Sequence, residues 1–440
     1  MKKRSFSSRV IAFLLCFLCV GQAMCFSTAA EEQKNISLPQ VSGASSVFLY
    51  HYESNQILLK RSGLTQIAPA STVKIMTGLL AIEKLHDRLN ETVEITVDML
   101  TGIEGYTIKL EPEMSVTVRD LLYGVICAGG NDAAHALAIV CSGSVNHFVD
   151  EMNQMALSIG CQNTTYANPS GMDDTNMITT LDDTILLAKK ARENELFMTI
   201  ASAVNYTFST GKKQITVYNR NAMISSFSAA GYQNRYVKGM NAGMTDRGGY
   251  CAIAFAEHEN NSYLCIVMGA IERNGTIMSY SIANTLLNFI FHHYSYRLLA
   301  SAGTKICTAP VELSLPQSGQ EESGVDCVLD RDVYGFLPNE ISPDTITYRT
   351  FFHHPQLLAP VTKGTVVGGV DLYYDGTYIT TAKLLAEDDC PSNGLLRTIH
   401  DMQELILSRF SLIFLVSLVF LLSSYFIFFE WHPRRRTRKK

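Results

Sequence analysis

The sequence predicts an α/β body, a smaller β-rich module after it, and one membrane-spanning helix at the C-terminal end. Three observations predict this. Strand-like runs stand at both ends of the first 300 residues, with helix-like runs inserted between them. After about residue 303, short strand signals follow one another. Residues 410–429 then form twenty positions of almost entirely apolar character. The length of 440 residues suits two or three domains, and 47% hydrophobic with 18% charged residues excludes a disordered chain.

The N-terminus reads as a secretory signal. Lys2, Lys3 and Arg4 form a basic start, residues 10–20 an apolar stretch, and Thr28-Ala29-Ala30 a small-residue cleavage site before Glu31. In the body, residues 46–50 and 57–59 alternate around Glu53-Ser54-Asn55, the pattern of a β-hairpin. A helix is expected from Ser71, with Ile75, Leu79, Leu80 and Ile82 as its apolar face. Residues 117–141 read as helical with an interruption at Ala128-Gly129-Gly130-Asn131, and 145–159 and 181–192 as further helices. Two strands, 249–257 and 262–270, precede a closing helix over 277–291. In the module, strands are expected at 310–315, 325–329, 345–352, 365–374 and 377–385, with Asp375-Gly376 as a hairpin turn. These read as a small β-sandwich.

The ends also carry the charge. The formal net charge is −5, but Lys2, Lys3, Arg4 and Arg9 contribute +4, and Arg434, Arg435, Arg436, Arg438, Lys439 and Lys440 contribute +6. The remainder therefore carries −15, which argues against nucleic acid as a partner. Twenty apolar residues make a helix of about 30 Å, the thickness of a hydrocarbon core. Trp431 and the basic cluster behind it place the tail in the cytoplasm and the body outside. The expected segments are a signal (1–30), the body (31–302), the β-rich domain (303–390), a linker (391–409), the span (410–429) and the tail (430–440).

Of eleven cysteines, Cys16, Cys19 and Cys25 fall in the signal. The other eight form no CxxC pair, and Cys127, Cys251 and Cys265 lie in apolar runs, so buried free thiols are expected. His51, His86 and His135 are scattered, and His353-His354 precedes Pro355 as a surface loop would. No metal site and no cofactor is expected. Asp173-Asp174 is explained by turn chemistry.

The stretch Ala68-Pro69-Ala70-Ser71-Thr72-Val73-Lys74 contains Ser-x-x-Lys where a helix should begin. Residues at i and i+3 share a helix face. A partly desolvated lysine beside a serine can accept the hydroxyl proton, and a helix N-terminus favours a developing oxyanion. The tetrapeptide alone is common by chance.

Its surroundings are more specific. Pro69 to Thr77 resembles the active-site stretch of the D-alanyl-D-alanine carboxypeptidases among the low-molecular-mass penicillin-binding proteins. The resemblance continues through Val118-Arg119-Asp120-Leu121-Leu122-Tyr123-Gly124, Gly130-Asn131-Asp132-Ala133-Ala134, Ala167-Asn168-Pro169-Ser170-Gly171-Met172, Asn219-Arg220-Asn221 and residues 239–250, and Lys363-Gly364 to Leu385 is similar to the family's second domain. It implies a β-lactamase/transpeptidase-like domain, an antiparallel sheet flanked by helices.

The family carries Ser-x-x-Lys, Ser-x-Asn and Lys-Thr-Gly. The first is intact at Ser71 and Lys74. The second reads Gly129-Gly130-Asn131 and the third Asn241-Ala242-Gly243, so two hydroxyls and one cation are missing. The resemblance implies Ser71 as nucleophile, Lys74 as base, and Asn131 as the residue that orients Lys74 and the substrate amide. It also implies an oxyanion hole from the N–H groups of Ser71 and Met244, with Gly243 keeping that strand close. Asn241 and Thr245 are left to hydrogen-bond a substrate carboxylate. Lys238 or Arg247 either supplies its charge or is a solvated strand-end group. The implied activity is removal of terminal D-alanine from the peptidoglycan stem peptide, with β-lactams as inhibitors. The altered motifs keep open a catalytically silent wall-binding protein, and an esterase or β-lactamase on the same scaffold.

Overall fold

The computed structural model describes residues 38–430, apart from residues 64–65, 317–322, 342–344 and 408. The expected signal and basic tail lie outside the described residues. The body is built on a five-stranded antiparallel sheet: β1 (Ser46–His51), β2 (Gln56–Ser62), β3 (Val237–Thr245), β4 (Gly249–His258) and β5 (Asn261–Ala270), in the order β2-β1-β5-β4-β3. Sequence-distant β1 and β5 are thus neighbours, and β3 is an edge. β4 and β5 are buried almost throughout. That explains their continuous apolar runs, since a strand covered on both faces has no solvent side to alternate with.

Helices fill the insertion between β2 and β3. They are α1 (Val73–Leu85), α2 (Asn131–Ser142), α3 (Val145–Ile159), α4 (Leu181–Arg192) and α5 (Glu195–Ser202). Their starts are set locally: Ser144, Thr180 and Asn194 each accept a backbone N–H three residues on, and α2 and α3 end at the left-handed Gly143 and Gly160. The interruption expected at 128–131 is real. A short helix Val118–Leu122 runs into a π-helical turn Tyr123–Cys127, and the chain restarts at Asn131. After β5, α6 (Met278–His293) packs on β4 and β5.

α1 departs from the expected amphipathic helix. Eleven of its thirteen residues are buried, Lys74 among them. It contacts α2, α3, α4, α5 and β3, so tertiary packing covers the face that periodicity leaves to solvent. Gly78 permits this closeness: a Cβ there would lie 2.6 Å from Ile126 Cγ1.

The second part is β-rich. It comprises β6 (Tyr294–Ala300), β7 (Lys305–Glu312), β8 (Gly324–Leu329), β9 (Val333–Pro338), β10 (Ile346–Phe352), β11 (Leu357–Leu358), β12 (Val366–Tyr374) and β13 (Thr377–Ala386). Six strands form one sheet in the order β10-β12-β13-β8-β7-β11, while β6 pairs with β9. They surround their own apolar cluster, which includes Val311, Cys327, Val370, Leu372 and Leu384. β6 begins nine residues before the expected boundary at 303 and pairs within the module, so it goes with that module. Its half-buried pattern had hidden it. Phe336 of β9 stacks on the buried His51 of β1 at 4.0 Å, and that burial lowers the histidine pKa.

Two helices follow, α7 (Gly394–Leu407) and α8 (Arg409–Glu430). α8 covers the expected span. Its side chains are described over 412–428, and their large apolar groups are exposed. Among the described residues no helix is long and apolar enough to cross a membrane.

Candidate active site

Ser71 sits in a 3₁₀ turn, Ala70–Thr72, that opens directly into α1. Thr72 fastens the turn by donating from its N–H (3.2 Å) and hydroxyl (2.5 Å) to the Pro69 carbonyl. Ala70 is held at φ +50°, a conformation alanine rarely adopts and one found where surroundings impose strain. Gly171 leaves room for it, since a Cβ there would fall 2.1 Å from the Ala70 carbonyl oxygen. Ser71 is half-buried, and its hydroxyl has no hydrogen bond among the described residues.

Lys74, one turn on, is 1% exposed. Its Nζ donates to the Ser170 carbonyl at 2.5 Å. Burial, and secondarily the Arg220 charge, push its pKa down to about 7. Among the described residues no carboxylate pairs with it, so desolvation is uncompensated and shifts the balance toward the neutral amine. The carbonyl it meets is fixed by Asn168, whose Oδ1 accepts from Ser170 N–H (3.2 Å), the Ser170 hydroxyl (3.0 Å) and Gly171 N–H (2.7 Å). Thr77 on α1 donates to the Pro169 carbonyl at 2.7 Å. Asn168 is thus a positioning residue. The Asn-Pro-Ser-Gly turn signalled a loop but not what the loop presents.

Asn131 begins α2 and is buried, and no hydrogen bond joins it to Lys74 among the described residues. Its amide donates to the Glu104 carbonyl at 2.7 Å, and Lys74 is held by Ser170 instead. Asp132 beside it accepts from Ile108 N–H (2.9 Å) and Leu110 N–H (3.0 Å). Together the pair anchors the strip 104–110, which carries Tyr106.

β3 passes in front of the serine. A Cβ on Gly243 would lie 2.4 Å from Ser71 Cβ and 2.5 Å from its Oγ, so only glycine fits. Asn241 is 6% exposed and its Oδ1 has no partner among the described residues, a buried amide left unspent at the site. Thr245 Oγ1 accepts from Gly248 N–H at 3.0 Å, which leaves its hydroxyl proton available. Met244 is 48% exposed. As an edge strand, β3 carries backbone groups free to pair with an extended peptide.

The two candidate cations, Lys238 and Arg247, each have a local partner. Lys238 is exposed and donates to the Arg235 carbonyl at 3.4 Å. Arg247 is tied to the 173–174 loop, through its N–H to Asp173 Oδ2 (2.9 Å) and its guanidinium to the Asp174 carbonyl. The missed residue is Arg220. Its guanidinium lies 4.1 Å over the Tyr106 ring, its charge reaches Lys74, and a Cβ on Gly129 would lie 3.6 Å from its Cδ. Asn219 holds its loop by donating to the Ala201 (2.9 Å) and Ala203 (2.8 Å) carbonyls. The Asn-Arg-Asn triplet was the only signal, and a tripeptide says nothing about where its cation points.

The eight cysteines from 127 onward are free thiols, and six are buried. Among the described residues no group of three metal-ligating side chains could hold a metal.

A helix-opening serine, a buried lysine one turn on and a glycine edge strand against the serine define the class of active-site-serine hydrolases with a lysine base. Comparison with known proteins then gives the family. The D-alanyl-D-alanine carboxypeptidase profile matches residues 32–272, and that of the penicillin-binding protein 5 C-terminal domain matches residues 294–392. The chain belongs to the D-alanyl-D-alanine carboxypeptidase family. It is 25% identical over 360 residues to D-alanyl-D-alanine carboxypeptidase DacF of Bacillus subtilis, covering 80% of this chain and 87% of that one. It is 28% identical over 399 residues to DacA of Haemophilus influenzae, covering 89% and 95%. Penicillin-binding protein 5 from Haemophilus influenzae has a similar structure, with TM-score 0.58, 27% identity, and coverage of 81% of this chain and 100% of that one. The carboxypeptidase DacD from Francisella tularensis shares the fold at TM-score 0.64 and 21% identity.

Proposed function

We propose that this protein is a serine D-Ala-D-Ala carboxypeptidase acting on peptidoglycan stem peptides. The observation that carries the reading is Lys74: a fully buried amine with a pKa near 7, one turn from a half-buried serine hydroxyl. Neutral Lys74 takes the Ser71 proton as Oγ attacks the carbonyl carbon of the last peptide bond. The N–H groups of Ser71 and Met244 hold the tetrahedral oxyanion. The bond to the terminal D-alanine breaks, and its nitrogen takes the proton back from the Lys74 ammonium. Water then hydrolyses the ester and frees the trimmed peptide. Asn241 and Thr245 hydrogen-bond the substrate carboxylate, with Arg220 as the cation that the third motif lacks. Asn131 contributes by anchoring the wall that carries Tyr106.

The test is mass spectrometry of the full chain after exposure to benzylpenicillin. An adduct is expected on the peptide containing Ser71 and absent from Ser71→Ala. A folded protein that gains no adduct and releases no D-alanine overturns the reading. The same result would favour the second reading, a silent wall-binding protein, whose support is the uncharged Asn241 and the missing hydroxyl at Gly129. Losing one transition-state donor typically slows a reaction by a factor of about 100 to 1,000.

Arg220 gives a sharper test. Acylation is expected to rise with pH through about 7 as Lys74 loses its proton. Arg220→Gln removes a positive charge that lowers this pKa, so the midpoint moves to higher pH. Burial, the larger cause, remains, so the move is partial. The same variant raises KM for peptides with a free terminal carboxylate. An unmoved midpoint would remove Arg220 from the site's electrostatics.

The remaining organisation is part of the proposal. Residues 1–30 act as a cleaved signal, the carboxypeptidase and β-rich parts work outside the membrane, α8 spans it, and the basic tail stays inside. The division between the two parts is placed near residue 293 in this proposal, a placement supported by the pairing of β6 with β9.

A further inference from the structure

Cys307 and Cys327 are register partners on adjacent antiparallel strands, β7 and β8. Thr308 and Asp326, the next pair, bond to each other on the exposed side at 2.7 Å. By strand alternation the two cysteines therefore share the opposite, inner face with Ala309 and Val325, which belong to the module's core. Directly opposed residues of an antiparallel pair have Cα atoms about 4.5–5.5 Å apart, inside the range of about 4.4–6.8 Å that a disulfide spans. Among the described residues, no other two cysteines are opposed in a ladder.

We infer that Cys307 and Cys327 are a reversible oxidation site, which forms a cross-strand disulfide when the protein meets a disulfide-type oxidant. Cys307 is half-buried whereas Cys327 is 0% exposed, which sets the order of events. The Cys307 thiolate attacks one sulfur of the oxidant, the oxidant's S–S bond breaks, and one oxidant thiolate leaves. The Cys327 thiolate then attacks Cys307 Sγ, the mixed disulfide breaks, and the second oxidant thiolate leaves. The two protein thiols together lose two electrons and two protons, and the oxidant gains them as two thiols. The product closes the β7–β8 hairpin covalently. β8 also pairs with β13, the last strand before α7, and Cys327 itself stands opposite Ala386. The link therefore fixes the strand that joins the first and last parts of the module's sheet.

The inference depends on the proposed export only for where an oxidant is met, so its test supplies one. The full chain in detergent is incubated with oxidised glutathione, blocked with N-ethylmaleimide and digested without reduction. The expected product is a disulfide-linked pair of peptides containing Cys307 and Cys327, with the other six cysteines from 127 onward blocked. Unfolding of the oxidised protein is expected about 5 °C above the reduced form for the module's transition, and Cys307→Ser removes that difference. Cys327→Ser is less informative alone, because its position is fully buried. Finding both cysteines blocked by maleimide, or either bridged to a different cysteine, overturns the inference. Penicillin acylation of Ser71 is a separate readout and bears only on the catalytic proposal.

Discussion

Lys74→Met is expected to give a protein that is more stable and almost inactive. Burial holds the native lysine near pKa 7, against 10.5 for the ordinary side chain. The folded pKa is depressed, so between pH 7 and 10.5 the unfolded chain carries a proton that the native chain does not. Stability therefore rises with pH across that window, and the full penalty applies below it. At about 1.4 kcal/mol per pH unit, the cost near pH 7.5 is roughly 4 kcal/mol. Methionine fits the apolar surroundings without it, but leaves the Ser170 carbonyl without its donor, at a cost of about 1–3 kcal/mol. A net rise in Tm of several degrees follows, with a flatter dependence on pH between 7 and 10. Acylation falls by roughly 100- to 10,000-fold with the loss of the base. Thermal unfolding at two pH values, with β-lactam acylation rates beside it, checks both halves. A destabilised variant, or an unchanged pH slope, would mean the lysine is not held neutral by burial.

Gly243→Ala is expected to abolish acylation through geometry alone. The new methyl would overlap Ser71 Cβ and Oγ at 2.4 and 2.5 Å. Neither is the free end of a flexible side chain, so the strand or the serine has to move. Overpacking of this kind costs about 1–3 kcal/mol, while a displacement near 1 Å at reacting atoms costs about a hundredfold in rate. The variant should remain folded by circular dichroism and lose at least that much acylation rate. Wild-type acylation would show that β3 does not pass Ser71 as described.

Much of the architecture was legible because it depends on local pattern. The helices Val145–Ile159 and Leu181–Arg192 are announced by periodicity and caps, and the Asp375-Gly376 turn locates the last hairpin. The short pairs Thr92–Glu94 with Ser115–Thr117 and Asn205–Ser209 with Gln214–Tyr218 were not legible, because three to five residues carry too little alternation. β6 was missed for a related reason: its partner β9 lies more than thirty residues away and covers it only partly.

At the site, the sequence by itself determined the nucleophile–lysine spacing, the glycine of the edge strand and the altered second and third motifs. These are properties of neighbours along the chain. Only the tertiary structure decided what those residues meet. The Lys74 pKa falls because α1 is enclosed by four other helices and β3, a matter of packing that no window of sequence contains. Its hydrogen-bond partner is Ser170, 96 residues away, and not Asn131. Arg220, whose charge reaches Lys74, is brought beside Gly129 by the fold, while Lys238 bonds to the Arg235 carbonyl and Arg247 to the 173–174 loop. Desolvation and Coulomb interaction depend on distance through space, and distance through space is what chain order leaves open.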